Sequence, residues 1–476
     1  MGDLTPLRLY NTRTHAVEAF SPLLDDEVRV YVCGLTPSGE AHLGHARSFL
    51  FFDVLRRHLE HRGYRVTYVQ NVTDIDDRSI ATAREEGTTY RDVVERHYTS
   101  FKKSMRKLGV REPDIEPCAT QFVPQIQAMI RALIERGHAY AVDDGVYYAV
   151  RSFPGYGLLS RRNLEELEAG ARIEIDEFKR DPLDFALWKF AKEGEPSWKF
   201  DPYGAGRPGW HIECSAMSRE LLDPPGNGFD IHGGGADLIF PHHENEIAQS
   251  EPLMRHPPMA NLWVHGGLLL FDNRKMSKSL GNFEPLSALL ERHDPQAIRL
   301  LFLQTGYRKV MNFTEESVSA ARVVLERLKK TYRTLKIAGA LDSGANGDVF
   351  DRVAAALNDD MNTAVALAEV LRAESPSFGA FERALTLLGI TPDETWLAES
   401  PALLPQDFVR RLATLLAGEI EVDGVSPEQA VERIIASRRQ AREQRDWMKS
   451  DRLRDALAAC GVRLHDTKEG TTWSVA

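Results

Sequence analysis

Apolar and polar positions repeat with two different periods along the first third of the chain. Residues 28–33 and 65–72 are short runs rich in valine, whereas 47–62 and 90–108 carry apolar residues at the three-to-four spacing of a helix. Strand, helix, a Gly63-Tyr64 turn and a second strand make the order of a βαβ unit. That order predicts an α/β fold with a doubly wound, Rossmann-like parallel sheet. From 113 to 199 the pattern loosens into a helix at 123–136, a hairpin at 140–150 and an acidic, irregular passage, which reads as an insertion. Alternation resumes at 209–222, 229–231, 236–250 and 262–271. Beyond 295 the periodicity is mainly helical, at 295–305, 315–337, 350–357, 364–373 and 427–445, with turn-forming breaks near 339–347 and 418–427. The tail, 451–473, predicts a helix and a short hairpin.

Composition narrows the picture. A chain of 476 residues is long enough for two or three domains, each with its own core. Its four cysteines, Cys33, Cys118, Cys214 and Cys460, are too scattered for a disulfide framework, and the N-terminal residues lack the apolar core of a signal peptide. The expected compartment is a reducing cytoplasm. The longest apolar runs are far too short to cross a bilayer, so no membrane is expected as a partner. A formal net charge of −11 argues against sequence-independent nucleic-acid binding, which needs clustered lysine and arginine. Basic clusters at 327–333 and 438–445 leave room for one basic face, or are solvated helix faces.

Candidate chemistry lies in three places. His42-Leu-Gly-His45 follows a strand and a Pro-Ser-Gly turn and opens a helix, where two imidazoles and free backbone N–H groups suit an anion. Lys275-Met-Ser-Lys-Ser279 follows an apolar strand and offers two lysines to charge developing on phosphorus. Together the two stretches resemble the HIGH and KMSKS signatures of class I aminoacyl-tRNA synthetases. The third place is spread over 206–217, 230–237 and 240–246, where His242 and Glu246 are four apart and share a helix face. With Cys33 and Cys214 they make a tetrahedral zinc set, although His211, His243 or Glu244 could replace a member.

These segments resemble the cysteinyl-tRNA synthetase family. The likeness extends through Asn71-Val-Thr-Asp-Ile-Asp-Asp77, Lys179-Arg-Asp-Pro-Leu-Asp-Phe185, Ser279-Leu-Gly-Asn-Phe283 and Gly470-Thr-Thr-Trp473. The resemblance implies zinc on Cys33, Cys214, His242 and Glu246, with the thiolate of the substrate cysteine on the same metal. It implies a cysteine pocket of Gly34, Thr73, Trp210, His232 and Asp237, ATP contacts from His42, His45 and Lys278, and a supporting role for Lys275. The expected reaction joins L-cysteine to ATP as cysteinyl-adenylate, with Mg2+ on the nucleotide, and then passes cysteine to the terminal ribose of tRNA-Cys. Zinc suits the selection, because a thiolate is a soft ligand and a neutral hydroxyl is a poor one. An editing domain is therefore not expected.

Domain expectations follow the same resemblance: 1–112 and 206–285 as the two halves of the catalytic domain, 113–205 as the insertion and 286–345 as a stem-contact region. Residues 346–420 become a helical tRNA-binding domain and 421–476 an anticodon module, with Arg442, Trp447, Asp451 and Asp466 at the anticodon positions. From its periodicity alone, Trp447 reads as a buried residue of an amphipathic helix. Cys118 and Cys460 read as small buried hydrophobes, and the family implies a monomer. Two rivals stand beside this reading: a ligase that passes cysteine to an aminosugar, which would lack the C-terminal module, and a non-catalytic relative, which would not keep His42, His45, Lys275 and Lys278. The turn Pro37-Ser38-Gly39 departs from the family pattern of a bulky aromatic and an acid, so no inherited role is expected there.

Overall fold

The computed structural model describes residues 5–165, 178–275, 284–338, 349–397, 404, 407–416, 420, 422, 425–467 and 470–475. Its contacts divide the chain into two compact units, Met1–Phe313 with Ala340–Thr391, and Thr314–Gly339 with Pro392–Ala476.

In the first unit, the hairpin β1 (Arg8–Asn11) and β2 (Ala16–Ala19) precedes β3 (Glu27–Leu35), α1 (Leu43–His61) and β4 (Arg65–Val72). Helices α2 (Asp77–Glu86), α3 (Tyr90–Lys107) and α4 (Val123–Glu135) follow, then strands β5 (Ala139–Val142), β6 (Gly145–Tyr148), β7 (Phe185–Phe190) and β8 (Gly206–Pro208). Next come α5 (Trp210–Leu222), β9 (Phe229–Gly235), α6 (Glu244–Ser250) and β10 (Ala260–Gly266). The expected parallel sheet is present, with β10, β9, β3 and β4 in that order. Val28, Val30, Tyr31 and Val32 are all buried, so β3 is apolar on both faces, as a central parallel strand covered by helices must be.

Residues 113–199 are more regular than the loosened pattern implies. Strands β5 to β8 form an antiparallel sheet in sequence order, held on α4 by a core that includes Ile126, Ile130, Leu133, Tyr148, Trp188 and Phe200. Sequence pattern alone missed β7, whose partner β6 lies across the irregular passage, and β8, which is only 3 residues long and pairs with β7. At Gly209, where the chain turns into α5, a Cβ would lie 2.0 Å from the carbonyl oxygen of Ala186, so only glycine fits.

Two predicted elements are broken in the structure. The strand expected at 262–271 is two: β10 ends at Gly266, and β11 (Leu269–Phe271) joins a different sheet with β12 (Arg274–Lys275) and β13 (Met311–Phe313). The helix expected at 236–250 is interrupted at Phe240, whose extended backbone (φ −139°, ψ 132°) separates Ala236–Leu238 from α6. Helices α7 (Leu286–Arg292) and α8 (Pro295–Leu303) precede β13, and α10 (Val349–Asn358), α11 (Thr363–Arg372) and α12 (Phe378–Leu387) complete the unit after α9 (Glu315–Ala338).

The second unit contains α9, α13 (Phe408–Leu416), α14 (Pro427–Glu443), α15 (Trp447–Ala459) and the hairpin β14 (Val462–Thr467) and β15 (Gly470–Val475). Phe408, Leu412, Leu416, Ile434, Leu453 and Leu457 form its core. Among the described residues, no helix is long and apolar enough to cross a membrane.

Candidate active site

Ligand sites in open parallel sheets lie beyond the carboxyl ends of the strands, and β3 and β9 bring the candidate residues there. Cys33 stands near the end of β3, with its Sγ 3.7 Å from the Sγ of Cys214 on α5 and 3.4 Å from Oε1 of Glu246. Glu246 also meets Nε2 of His242 at 3.1 Å and Nε2 of His232 at 2.9 Å. The ligand atoms of Cys33, His242, His243 and Glu246 all lie within 4.8 Å of one another. Three of the four expected ligands are thus in this group, the fourth, Cys214, stands beside Cys33, and His243, an alternative from its sequence position, completes the group with Nε2 3.3 Å from the Cys33 sulfur.

The electrostatics suit a cation. Burial pushes the Cys33 thiol up, while the hydrogen bond from Cys33 holds the Cys214 thiol down at about 6. Burial alone would raise the Glu246 carboxyl, but the His232 and His242 imidazoles hold it near 2. A thiol ready to ionise, a carboxylate and imidazoles, all buried, form the soft and borderline donor set that zinc prefers. Other imidazoles brace these groups. His211 Nδ1 lies 2.9 Å from His242 Nδ1, and His243 Nδ1 lies 2.7 Å from His265 Nε2, whose other nitrogen reaches Thr12 Oγ1 at 2.8 Å.

The expected cysteine pocket surrounds this cluster unevenly. Trp210 is 42% exposed, and its ring lies 4.4 Å from that of His242. Gly34 donates its N–H to Asn71 Oδ1 at 2.8 Å, and a Cβ there would lie 1.6 Å from the Asn71 carbonyl oxygen. Thr73 is buried and bonds the carboxyl of Glu213, a group pushed well up by burial. His232 is completely buried behind Glu246 and stacks on Trp263. Asp237 is exposed, and its charge acts on His42.

The His42 to His45 turn caps its own helix. His42 Nδ1 accepts the N–H of Gly44 at 3.1 Å, and His45 Nδ1 accepts the N–H of His42 at 3.2 Å. The rings stack with centroids 3.8 Å apart. Burial lowers both groups, His45 to about 3, so both are neutral at physiological pH. Because each Nδ1 is an acceptor, each neutral ring carries its proton on Nε2, a donor suited to an anion at the helix start. Lys275 ends β12, opposite Leu270. Lys278 lies outside the described residues.

Comparison with known proteins settles the family. The model described as the catalytic domain of class I (C) tRNA synthetases matches residues 19–323, and that of the cysteinyl-tRNA ligase anticodon binding domain matches 427–473. A cysteine–tRNA ligase of Methylobacillus flagellatus is 45% identical over 470 residues, covering 98% of this chain and 99% of its own. The chain belongs to the cysteine–tRNA ligase family. A second member, from Azotobacter vinelandii, is 46% identical over 476 residues, with 98% and 99% covered. The class I fold of the family appears in two distant solved structures. A Mycobacterium tuberculosis methionyl-tRNA synthetase bound by methionyl-adenylate has a TM-score of 0.52 at 14% identity, covering 76% of this chain and 89% of its own. A LeuRS–tRNA–LeuAMS complex from Agrobacterium radiobacter has a TM-score of 0.54 at 13%, covering 78% and 83%.

In the second unit, Trp447 opens α15 and is 58% exposed, so it is not the buried residue its periodicity implies. Asp466 accepts both arms of Arg438 at 2.8 Å, Arg442 at 3.0 Å and the Thr471 hydroxyl at 2.7 Å, while Asp451 pairs with Arg454 at 2.9 Å. Arg442 and Asp466, expected as separate contacts, are partners. Cys460 is buried as expected, but Cys118 is only half-buried at a turn. Burial, with Asp74 and Glu116 nearby, holds the Cys118 thiol up at about 11, so it is inert.

Sequence reasoning missed Arg47, His265 and Glu213. The first two match no motif, because their partners are remote in sequence.

Proposed function

We propose that this chain activates L-cysteine with ATP, forms cysteinyl-adenylate and transfers cysteine to the 3′-terminal ribose of tRNA-Cys. The observation that carries the reading is the buried Cys33, Cys214, His242 and Glu246 cluster, whose Cys33 precedes by nine positions the cap His42 of a helix start held by two neutral histidines. Those four residues would hold zinc, with His243 beside them. Zinc supplies there a soft Lewis acid that separates a thiol substrate from its hydroxyl analogue.

Gly34, Thr73, Trp210, His232 and Asp237 line or brace the amino-acid pocket, and His232 does so by fixing Glu246. His42 and His45 donate from Nε2 to the phosphates of ATP, whose Mg2+ travels with the nucleotide, while Lys275 and Lys278 offset charge on the departing pyrophosphate. The cysteine carboxylate then attacks the α-phosphorus. The C-terminal unit reads the anticodon, with Trp447 as a stacking platform and the Arg442–Asp466 pair and Asp451 at base edges. The C-terminal match to an anticodon-binding domain favours tRNA over an aminosugar acceptor.

Purified protein incubated with cysteine, ATP and tRNA should form cysteinyl-tRNA, whereas coupling to an aminosugar alone would overturn the reading. Cys214→Ser should lower bound zinc and abolish cysteine-dependent ATP–pyrophosphate exchange. Retained exchange with full zinc would remove Cys214 from the ligand set.

A further inference from the structure

Arg47 lies on α1 two residues past His45 and is buried, yet its charge is taken up by backbone carbonyls. Nη1 donates to Gly267 at 3.1 Å and Leu268 at 2.8 Å, and Nη2 to Gly306 at 3.3 Å, Tyr307 at 3.4 Å and Lys309 at 2.6 Å. The first two belong to the link between β10 and β11, and the others to the loop before β13. These loops also bond each other, because Gly267 N–H donates to the Tyr307 carbonyl at 2.6 Å and Met311 N–H to that of Leu268 at 3.0 Å. A Cβ at Gly267 would lie 2.5 Å from the carbonyl oxygens of Arg308 and Lys309. The junction is closed to any larger residue.

The same loop is held from its other side. Asp360 accepts the Tyr307 hydroxyl at 2.8 Å, Arg308 Nε at 2.9 Å and the Tyr10 N–H at 2.8 Å. Asp360 and its neighbour Met361 have φ of 52° and 51°, a left-handed pair that non-glycine residues rarely adopt. Such backbone persists only where the surroundings over-determine it, and it clusters at functional positions. Tyr307 also stacks on Phe51 of α1, with centroids 4.0 Å apart. One junction therefore joins the helix that starts at His42 to the hairpin β11–β12 that ends at Lys275.

We propose that Arg47 and Asp360 are paired positioning residues, which grip the Gly306 to Lys309 loop from two sides and thereby fix the β11–β12 hairpin relative to His42 and His45 for the ATP-dependent step. The inference rests on the function proposed above. Neither residue touches a substrate, so their removal acts through geometry, and misplacement of a reacting group by about 1 Å costs on the order of 100-fold.

The test is cysteine-dependent ATP–pyrophosphate exchange by the full-length, zinc-loaded protein. Arg47→Gln should lower kcat by at least about 10-fold, with KM for cysteine and zinc content unchanged. Arg47→Lys, which reaches fewer carbonyls, should be intermediate. Asp360→Asn keeps a residue type that tolerates the left-handed turn and should also lower kcat. Because the two grips share one loop, the double variant should lose less than the product of the single losses. Wild-type kcat in folded Arg47→Gln, or a fully multiplicative double variant, overturns the proposal. Should Arg47→Gln not fold, Arg47→Lys and Asp360→Asn decide it. Amide hydrogen exchange at Gly267 is an independent readout and should be faster in every variant. Absence of exchange activity in the wild type would defeat the functional reading, while protection at Gly267 would still decide the grip.

Discussion

His42 and His45 do at the scale of a single residue what is usually divided between two kinds of side chain. Nδ1 completes the helix cap, which puts the proton of the neutral ring on Nε2, so capping fixes the tautomer that the proposed anion contact needs. The two roles separate by substitution. Asparagine is a good cap, so His42→Asn should keep thermal stability close to wild type while exchange falls by about 100-fold, the scale of losing one preorganised donor. His42→Ala should lose both, with about 1 kcal/mol of stability. Full exchange in His42→Asn would leave the imidazole as a cap alone. Residues acting within their own turn, such as these, were legible from sequence. Arg47 was not, since an arginine in a helix signals nothing until the carbonyls it caps, some 220 residues away, are brought to it.

Between elements, the charge state of buried imidazoles decides pH behaviour. His58 on α1 is fully buried against Asn358 of α10, with 2.8 Å between Nε2 and Oδ1, and burial lowers it to about 4. In the unfolded chain a histidine binds its proton near pH 6.5. The folded state therefore holds fewer protons between these values, and its stability is full above 6.5 and lost as pH falls toward 4. The loss is about 1.4 kcal/mol per pH unit for this group. Denaturant unfolding from pH 7 to 4.5 should show a shallower decline in His58→Gln than in wild type, and equal slopes would contradict the assignment. Element types were readable where a helix or central strand kept its period, as in α3, α9 and β3. Breaks were not. The halt of β10 at Gly266 follows from the junction around Arg47, and the bend at Phe240 parts Ala236–Leu238 from the turn and helix that carry His242 and Glu246; no local period encodes either break.

For the molecule as a whole, the sulfur pair at the end of β3 has a thermodynamic consequence. Cys33 stands 181 positions from Cys214 and 213 from Glu246, so an unfolded chain brings no assembled site to a cation, each cysteine being remote from the other and from the His242–Glu246 pair. A cation that binds the folded form alone stabilises it by mass action, by about 2.7 kcal/mol at a free concentration 100 times its dissociation constant. Adding a strong chelator should lower the unfolding midpoint of the zinc-loaded protein and leave Cys214→Ser almost unmoved, and a midpoint indifferent to chelator would show that the cluster stands without metal. A cation held by the cluster would then also act as a folding ligand. A shortage of the cation would reduce how much folded protein exists, as well as how well each molecule works.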